Sequence, residues 1–209
     1  MMDTKKQQAP PAEWNAAEAR MSFFRKPITN KRPEPEPVTL AQVYEYLCGP
    51  TAIFDAYYLR GLDDHDAARA FKQSHFDYVT PSGQFSYCDD QHLIEHSQLL
   101  CMDLDDLGER VEEVFKELLQ DPMFETQLLF RSPSGNGLKW FIHIDLSRCD
   151  HRTWFQAVRN YLMKTYGFNK RQVDAQCANP SRACFLSHDP QAYINPKLIV
   201  NFKLTSKDE

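Results

Sequence analysis

The chain has 209 residues, with 24 basic and 29 acidic side chains, a formal charge of −5 and a pI near 5.8. That length makes one domain of ordinary size, able to hide roughly 70% of its unfolded surface without disulfide or metal staples. Its longest apolar runs are four residues (56–59, 99–102, 183–186), which excludes a membrane-spanning helix and a signal-peptide core.

The first 37 residues hold six of the thirteen prolines, and Pro33-Glu34-Pro35-Glu36-Pro37 reads as a stiff, extended linker. Residues 1–37 are therefore expected to be a flexible tail and 38–209 the folded domain. Met21-Ser22-Phe23-Phe24 is too apolar for a spacer, and the two phenylalanines are expected to touch the body. Thr39 is an N-cap, followed by Leu40, Val43, Tyr44 and Leu47 at helical spacing until Gly49-Pro50. Helices follow over 52–59 and 64–73. Residues 78–87, with Pro81-Ser82-Gly83 in the middle, read as a hairpin or looped strand pair.

The second half has a clearer rhythm: strand 98–105, helix 107–119, strand 126–131, a turn-rich loop 132–137, strand 138–144, helix 151–166, strand 183–187. This β-α-β-β-α-β order predicts an α+β fold of the ferredoxin-like, RRM-like kind, a four-stranded antiparallel sheet with helices on one face. In it the first strand lies between the third and the fourth, antiparallel to both.

Charge is unevenly spread. Residues 1–130 carry 12 basic and 23 acidic side chains, residues 131–209 carry 12 and 6. An acidic whole can thus offer a basic face to a polyanion. The six cysteines form no C-x-x-C pair and no regular framework, so they read as reduced thiols of a cytoplasmic protein.

Cys101-Met102-Asp103-Leu104-Asp105-Asp106 carries the strongest chemical signal. In a strand Asp103 and Asp105 point the same way while Leu104 faces the core. Two adjacent carboxylates repel unless a cation lies between them, which suits Mg²⁺ or Mn²⁺. Helix capping by Asp105 and Asp106 is the plainer reading, but it leaves Asp103 unexplained. The expected topology places the end of this strand beside Ser132-Pro133-Ser134-Gly135-Asn136-Gly137-Leu138-Lys139 and beside Asp174 and Ser181-Arg182. Amides of the small-residue loop at Ser134, Gly135 and Gly137, with Lys139 and Arg182, are expected to hold phosphate; Asp174 is the third acid. His96 and Ser187 are expected to line the same pocket. Cys177, Cys184 and His188 are spaced for a zinc site that lacks an evident fourth ligand.

These motifs, together with Tyr78-Val79-Thr80-Pro81-Ser82-Gly83 and the run Ser181–Pro190, resemble the VirE N-terminal domain family of the archaeo-eukaryotic primase (primase-polymerase) superfamily, common on bacterial mobile elements. The resemblance implies an RRM-like catalytic core with an N-terminal α/β unit. It implies Asp103 and Asp105 as the metal-binding pair and Asp174 as the remaining catalytic acid. Where the superfamily's second motif usually ends in a histidine that contacts phosphate, this chain has Lys139. The implied activity is primer synthesis or extension from nucleoside triphosphates on a single-stranded DNA template, with Mg²⁺ or Mn²⁺ and with any helicase a separate partner. Arg131, Arg148, Arg152 and Arg159 are the expected DNA contacts. The rivals are a non-catalytic nucleic-acid-binding module and a metal-dependent nuclease.

Overall fold

The structure, a computed structural model, describes residues 14–199. From Trp14 the chain is already packed. Trp14 stacks on His143 with 3.9 Å between ring centroids and donates from Nε1 to Ser97 O. Strand β1 (Ser22–Phe24) is wholly buried. The body therefore begins inside the segment expected to be a free tail, because Trp14, Met21, Phe23 and Phe24 bring enough apolar surface to dock it. Residues 1–13 of that segment lie outside the described residues.

Helix α1 (Leu40–Cys48) starts at Thr39 through a reciprocal capping box: Thr39 Oγ1 accepts from Gln42 N, and Gln42 Oε1 accepts from Thr39 N. Its Leu40, Val43 and Leu47 are buried at helical spacing. Helix α2 (Ile53–Arg60) buries Ala56 and Leu59, and α3 (His65–His75) is capped by Asp64, which accepts from Asp66 N and Ala67 N at 2.9 Å. The next two strands, β2 (Tyr78–Thr80) and β3 (Gly83–Phe85), are no hairpin. β3 pairs with β4 (Leu93–His96), whereas β2 lies between β1 and β8 (Cys184–Phe185) in a three-stranded sheet.

The central sheet holds β5 (Leu99–Leu104), β6 (Thr126–Arg131), β7 (Leu138–His143) and β9 (Tyr193–Ile194) in the order β5-β7-β6-β9, every pair antiparallel. Helix α4 (Val111–Leu119) follows β5, and α5 (His151–Thr165) follows β7. Leu100, Met102, Leu104, Trp140 and Ile142 point to one face, where Val114, Leu118, Phe155, Val158 and Leu162 of the two helices cover them. Leu99, Cys101, Leu128, Phe130 and Phe141 point to the other face. There α1, the N-terminal segment and the β8 region close the second core. Both faces are buried, which is why β5–β7 read as nearly continuous apolar runs rather than alternating ones.

The order β5-β7-β6 matches the expected order of the first three strands, and the fold is mixed α and β with antiparallel sheets. The fourth strand differs. Segment 183–187 does not flank β5; its ordered part, β8, pairs with β2. The free edge of β5 is instead met by a short stretch before it: Leu104 bridges Val173, Asp105 N donates to Gln172 O, and Asp174 N donates to Asp103 O. Val173 is fully buried, so its own side chain pins this stretch to the edge.

Candidate functional site

Two strand positions found the site. Asp103 on β5 and Lys139 on β7 are register partners, and cross-strand partners share a face. Their side chains are 9% and 8% exposed, and Lys139 Nζ is paired with Asp103 Oδ2. Burial by itself pushes the Lys139 ammonium down, but the Asp103 charge, with further negative potential from Asp105, carries it well above the ordinary lysine value. It is a fixed cation.

Asp174 arrives through the short edge pairing. It caps the 3₁₀ turn Ala175–Ala178, accepting from Gln176 N, and its Oδ2 accepts from Arg182 Nη2 at 2.6 Å. Burial raises the Asp105 carboxyl, and the Asp103 charge raises it further. Neither Asp105 nor Asp106 caps a helix, since neither 3₁₀ turn Gly108–Arg110 nor α4 has a side-chain cap. Asp103 and Asp174 thus meet at one end of β5, paired with Lys139 and Arg182 respectively. Asp105 feels both acids' charges but stands outside their close group of ligand atoms, so the expected three-acid cluster is met only in part.

Beside them is a small cavity of about 10 Å³, lined by Ser82, Cys101, Asp103, Lys139, Cys177 and Arg182 among others. That is room for about one water-sized body. Two atoms of its lining residues, Asp103 Oδ1 and Arg182 Nε, are buried with no hydrogen-bond partner among the described residues. One oxygen each of Asp103 and Asp174 and the sulfur of Cys177 lie within 4.8 Å of one another. Sequence reasoning missed Cys177 as a member of the acid cluster, and it missed Lys72. Burial lowers Lys72, Lys139 adds to the effect, and the Asp103 and Asp105 charges oppose it, which puts this α3 lysine in the field of the site. The signal for Cys177 was present as Asp174-x-x-Cys177, one turn of a 3₁₀ helix.

The Ser-Gly-Asn-Gly loop lies where expected but is bonded to itself and to the β5 corner. Gly135 N donates to Ser132 O, Ser132 N to Gly137 O, and Asn136 receives Leu107 N and Gly108 N. The Gly135 amide expected to face phosphate is spent inside the turn. Gly135, at φ +76°, needs the left-handed backbone that glycine tolerates, and the Arg60 side chain lies over it.

His96 and Ser187 do not line the cavity. Ser187 is fully buried with its hydroxyl unpartnered. His96 accepts from Gln98 N at Nδ1, its Nε2 meets His151 Nδ1 at 3.2 Å, and His151 Nε2 reaches Cys177 O at 3.1 Å. That network assigns both protons to Nε2, a chain of neutral imidazoles ending on the 3₁₀ turn. Among the described residues Cys177 groups with Asp103 and Asp174, not with Cys184 and His188, so the three do not gather as a zinc site; His188 Nδ1 meets Gly49 O at 2.8 Å.

The histidine pair gives a pH prediction. Burial, and then the His151 charge, hold His96 down to about 4, below its ordinary value near 6.5. Between those values the unfolded chain binds more protons than the folded one. Stability is therefore full above pH 6.5 and falls by about 2–3 kcal/mol as the pH drops toward 4, after allowing for partial exposure. Urea titrations at pH 7 and 5 should show a smaller drop for His96→Gln than for wild type; equal drops would refute the assignment.

A family model described as BT4734-like, N-terminal domain matches residues 70–194, more than half of the chain. The chain belongs to this BT4734-like family. No curated protein and no solved structure matches it. The BT4734-like segment runs from within α3 to β9 and contains Lys72, Asp103, Asp105, Lys139, Asp174, Cys177 and Arg182. It leaves out α1 and α2.

Proposed function

We propose that this chain is a primase-polymerase-like nucleotidyltransferase domain that works on single-stranded DNA with nucleoside triphosphates, in mobile-element replication or mobilisation. The resemblance to the VirE N-terminal domain family and the RRM-like order β5-β7-β6 support this reading. The observation that carries it is the meeting of Asp103 and Asp174 at one strand end, with Asp105 in the field of both and a buried carboxylate oxygen of Asp103 without a partner among the described residues.

Those residues fit a divalent ion, Mg²⁺ or Mn²⁺, because an unpartnered buried carboxylate oxygen is costly and a cation removes the cost. Such an ion supplies charge neutralisation for a triphosphate and for the attacking 3′-hydroxyl. The chain's own part is electrostatic. Lys139 is paired with Asp103 and Arg182 with Asp174, and Arg182 Nε has no partner among the described residues. The cavity is too small for a nucleotide, so the triphosphate lies over its mouth, against the partly exposed Arg182.

For the DNA strand, the aromatic face of α2 is the better platform than the arginines singled out in the sequence. Phe54, Tyr57 and Tyr58 are 88%, 70% and 60% exposed at i, i+3 and i+4. Rings of that kind stack on bases for about 1–3 kcal/mol each, whatever the sequence. Arg131 is spent on Glu112 and Asp189. Arg152 bonds Asn179 and Arg159 bonds Lys170 O, while Arg148 lies over Trp154.

One observation favours a non-catalytic DNA-binding module instead: Lys139 and Arg182 already neutralise two of the three acids. Incubation with labelled nucleotides, a primed single-stranded template and Mn²⁺, followed by sizing, separates the readings. Wild type should lengthen the primer and Asp105→Asn should not. Phe54→Ala with Tyr57→Ala should weaken oligonucleotide binding about tenfold or more. Binding without extension would assign the module, and shortened strands would assign a nuclease.

A further inference from the structure

The donor set at the acid cluster is not all oxygen. Asp174 caps the turn Ala175–Ala178, and in a 3₁₀ helix with three residues per turn the side chains at i and i+3 eclipse. Cys177, three residues on, therefore stands on the same side as Asp174, and its amide closes the turn on Asp174 O at 3.3 Å. Asp103 meets them from β5, where its backbone oxygen accepts from Asp174 N. The three ligand atoms lie within 4.8 Å of one another. An ion bonded at about 2.0–2.3 Å spans up to ~4.6 Å between two ligands, so closure around one needs only small adjustments.

A buried cysteine is ordinarily a small apolar filler, and Cys177 does pack in the larger core. That role leaves Asp103 Oδ1 unexplained: its residue is 7% exposed, it lines the cavity with Cys177, and the oxygen has no partner. Lys139 is paired with the other oxygen.

We infer that Cys177 is a metal ligand with Asp103 and Asp174, and that the site accordingly prefers a thiolate-binding ion such as Zn²⁺ or Co²⁺ to Mg²⁺. This rests on the ion binding proposed above and deepens it. Burial, then the Asp103 charge, raises the Cys177 thiol, so the metal-free protein carries S–H there. On binding, the S–H bond breaks, a sulfur–metal bond forms, and one proton leaves to solvent for each ion.

The test is Co²⁺ titration of the full metal-free chain, followed by absorbance and by calorimetry. A sulfur-to-cobalt charge-transfer band should rise to saturation at one equivalent, vanish on adding stoichiometric Zn²⁺, and withstand a large excess of Mg²⁺. The band should be lost in Cys177→Ser. It should be kept in Cys101→Ser with Cys184→Ser, which supplies the answer if Cys177→Ser fails to fold. Cobalt binding without the band would leave an oxygen-only site and overturn the role of Cys177, while the ion reading stands. A band that persists in folded Cys177→Ser overturns it as well. No binding of Co²⁺, Mn²⁺ or Mg²⁺ would overturn both.

Discussion

Asp103→Asn should destabilise the protein by about 3–5 kcal/mol and lower its Tm by roughly 10 °C. Seen as a sequence, the substitution looks harmless or stabilising, because it relieves repulsion between neighbouring carboxylates. The structure reverses the sign. Asp103 is the buried partner of Lys139, and the amide would leave an ammonium nine-tenths buried without a counter-charge. Lys139→Met should cost a similar amount by stranding Asp103. The double variant should recover most of the loss, since replacing a buried pair as a unit is often neutral. Calorimetric melting of the four proteins measures this; an Asp103→Asn protein melting within about 2 °C of wild type would show that the pair contributes little. A loss of activity in Asp103→Asn is accordingly no evidence for metal chemistry, and Asp105→Asn is the informative variant.

Gly137→Ala should cost about 2–3 kcal/mol, an overpacking penalty at the site's corner. A β-carbon there would stand 2.3 Å from Leu104 O and 3.3 Å from Asp105 Cα. The Ser132 hydroxyl, at 3.1 Å, could swing aside, but these two contacts are backbone and cannot. Either the β5–β7 pairing opens at Leu104–Leu138 or the loop lifts from Asp105. Urea unfolding reads the stability, and titration with Mn²⁺ should show weakened binding in the same variant. A Gly137→Ala protein as stable as wild type would mean the loop yields freely and does not hold the acid corner.

The local features were legible in the sequence because local rules decide them. Thr39 with Gln42, Asp64 and Asp150 are caps whose partners lie within three residues, and α4 and α5 repeat their apolar residues at helical spacing. The strands over 98–105, 126–131 and 138–144 are short apolar runs between turn signals, and the two-residue alternation put Asp103 and Leu104 on opposite faces. The chemical types at the site, three acids with a lysine and an arginine, were also visible.

Pairing between distant segments was not. Segment 183–187 has the composition of a central strand, yet its ordered part, β8, joins β2, because the place beside β5 is taken by Gln172–Asp174 through a few backbone bonds that leave no apolar pattern to read. The partners of each charge depend on those contacts: Lys139 goes to Asp103 rather than to solvent, and Arg131 to Glu112 and Asp189. Residue types settle which groups can meet a cation. Whether Asp103 repels Asp105 or is held by Lys139 is set by strand register, which only the folded sheet decides.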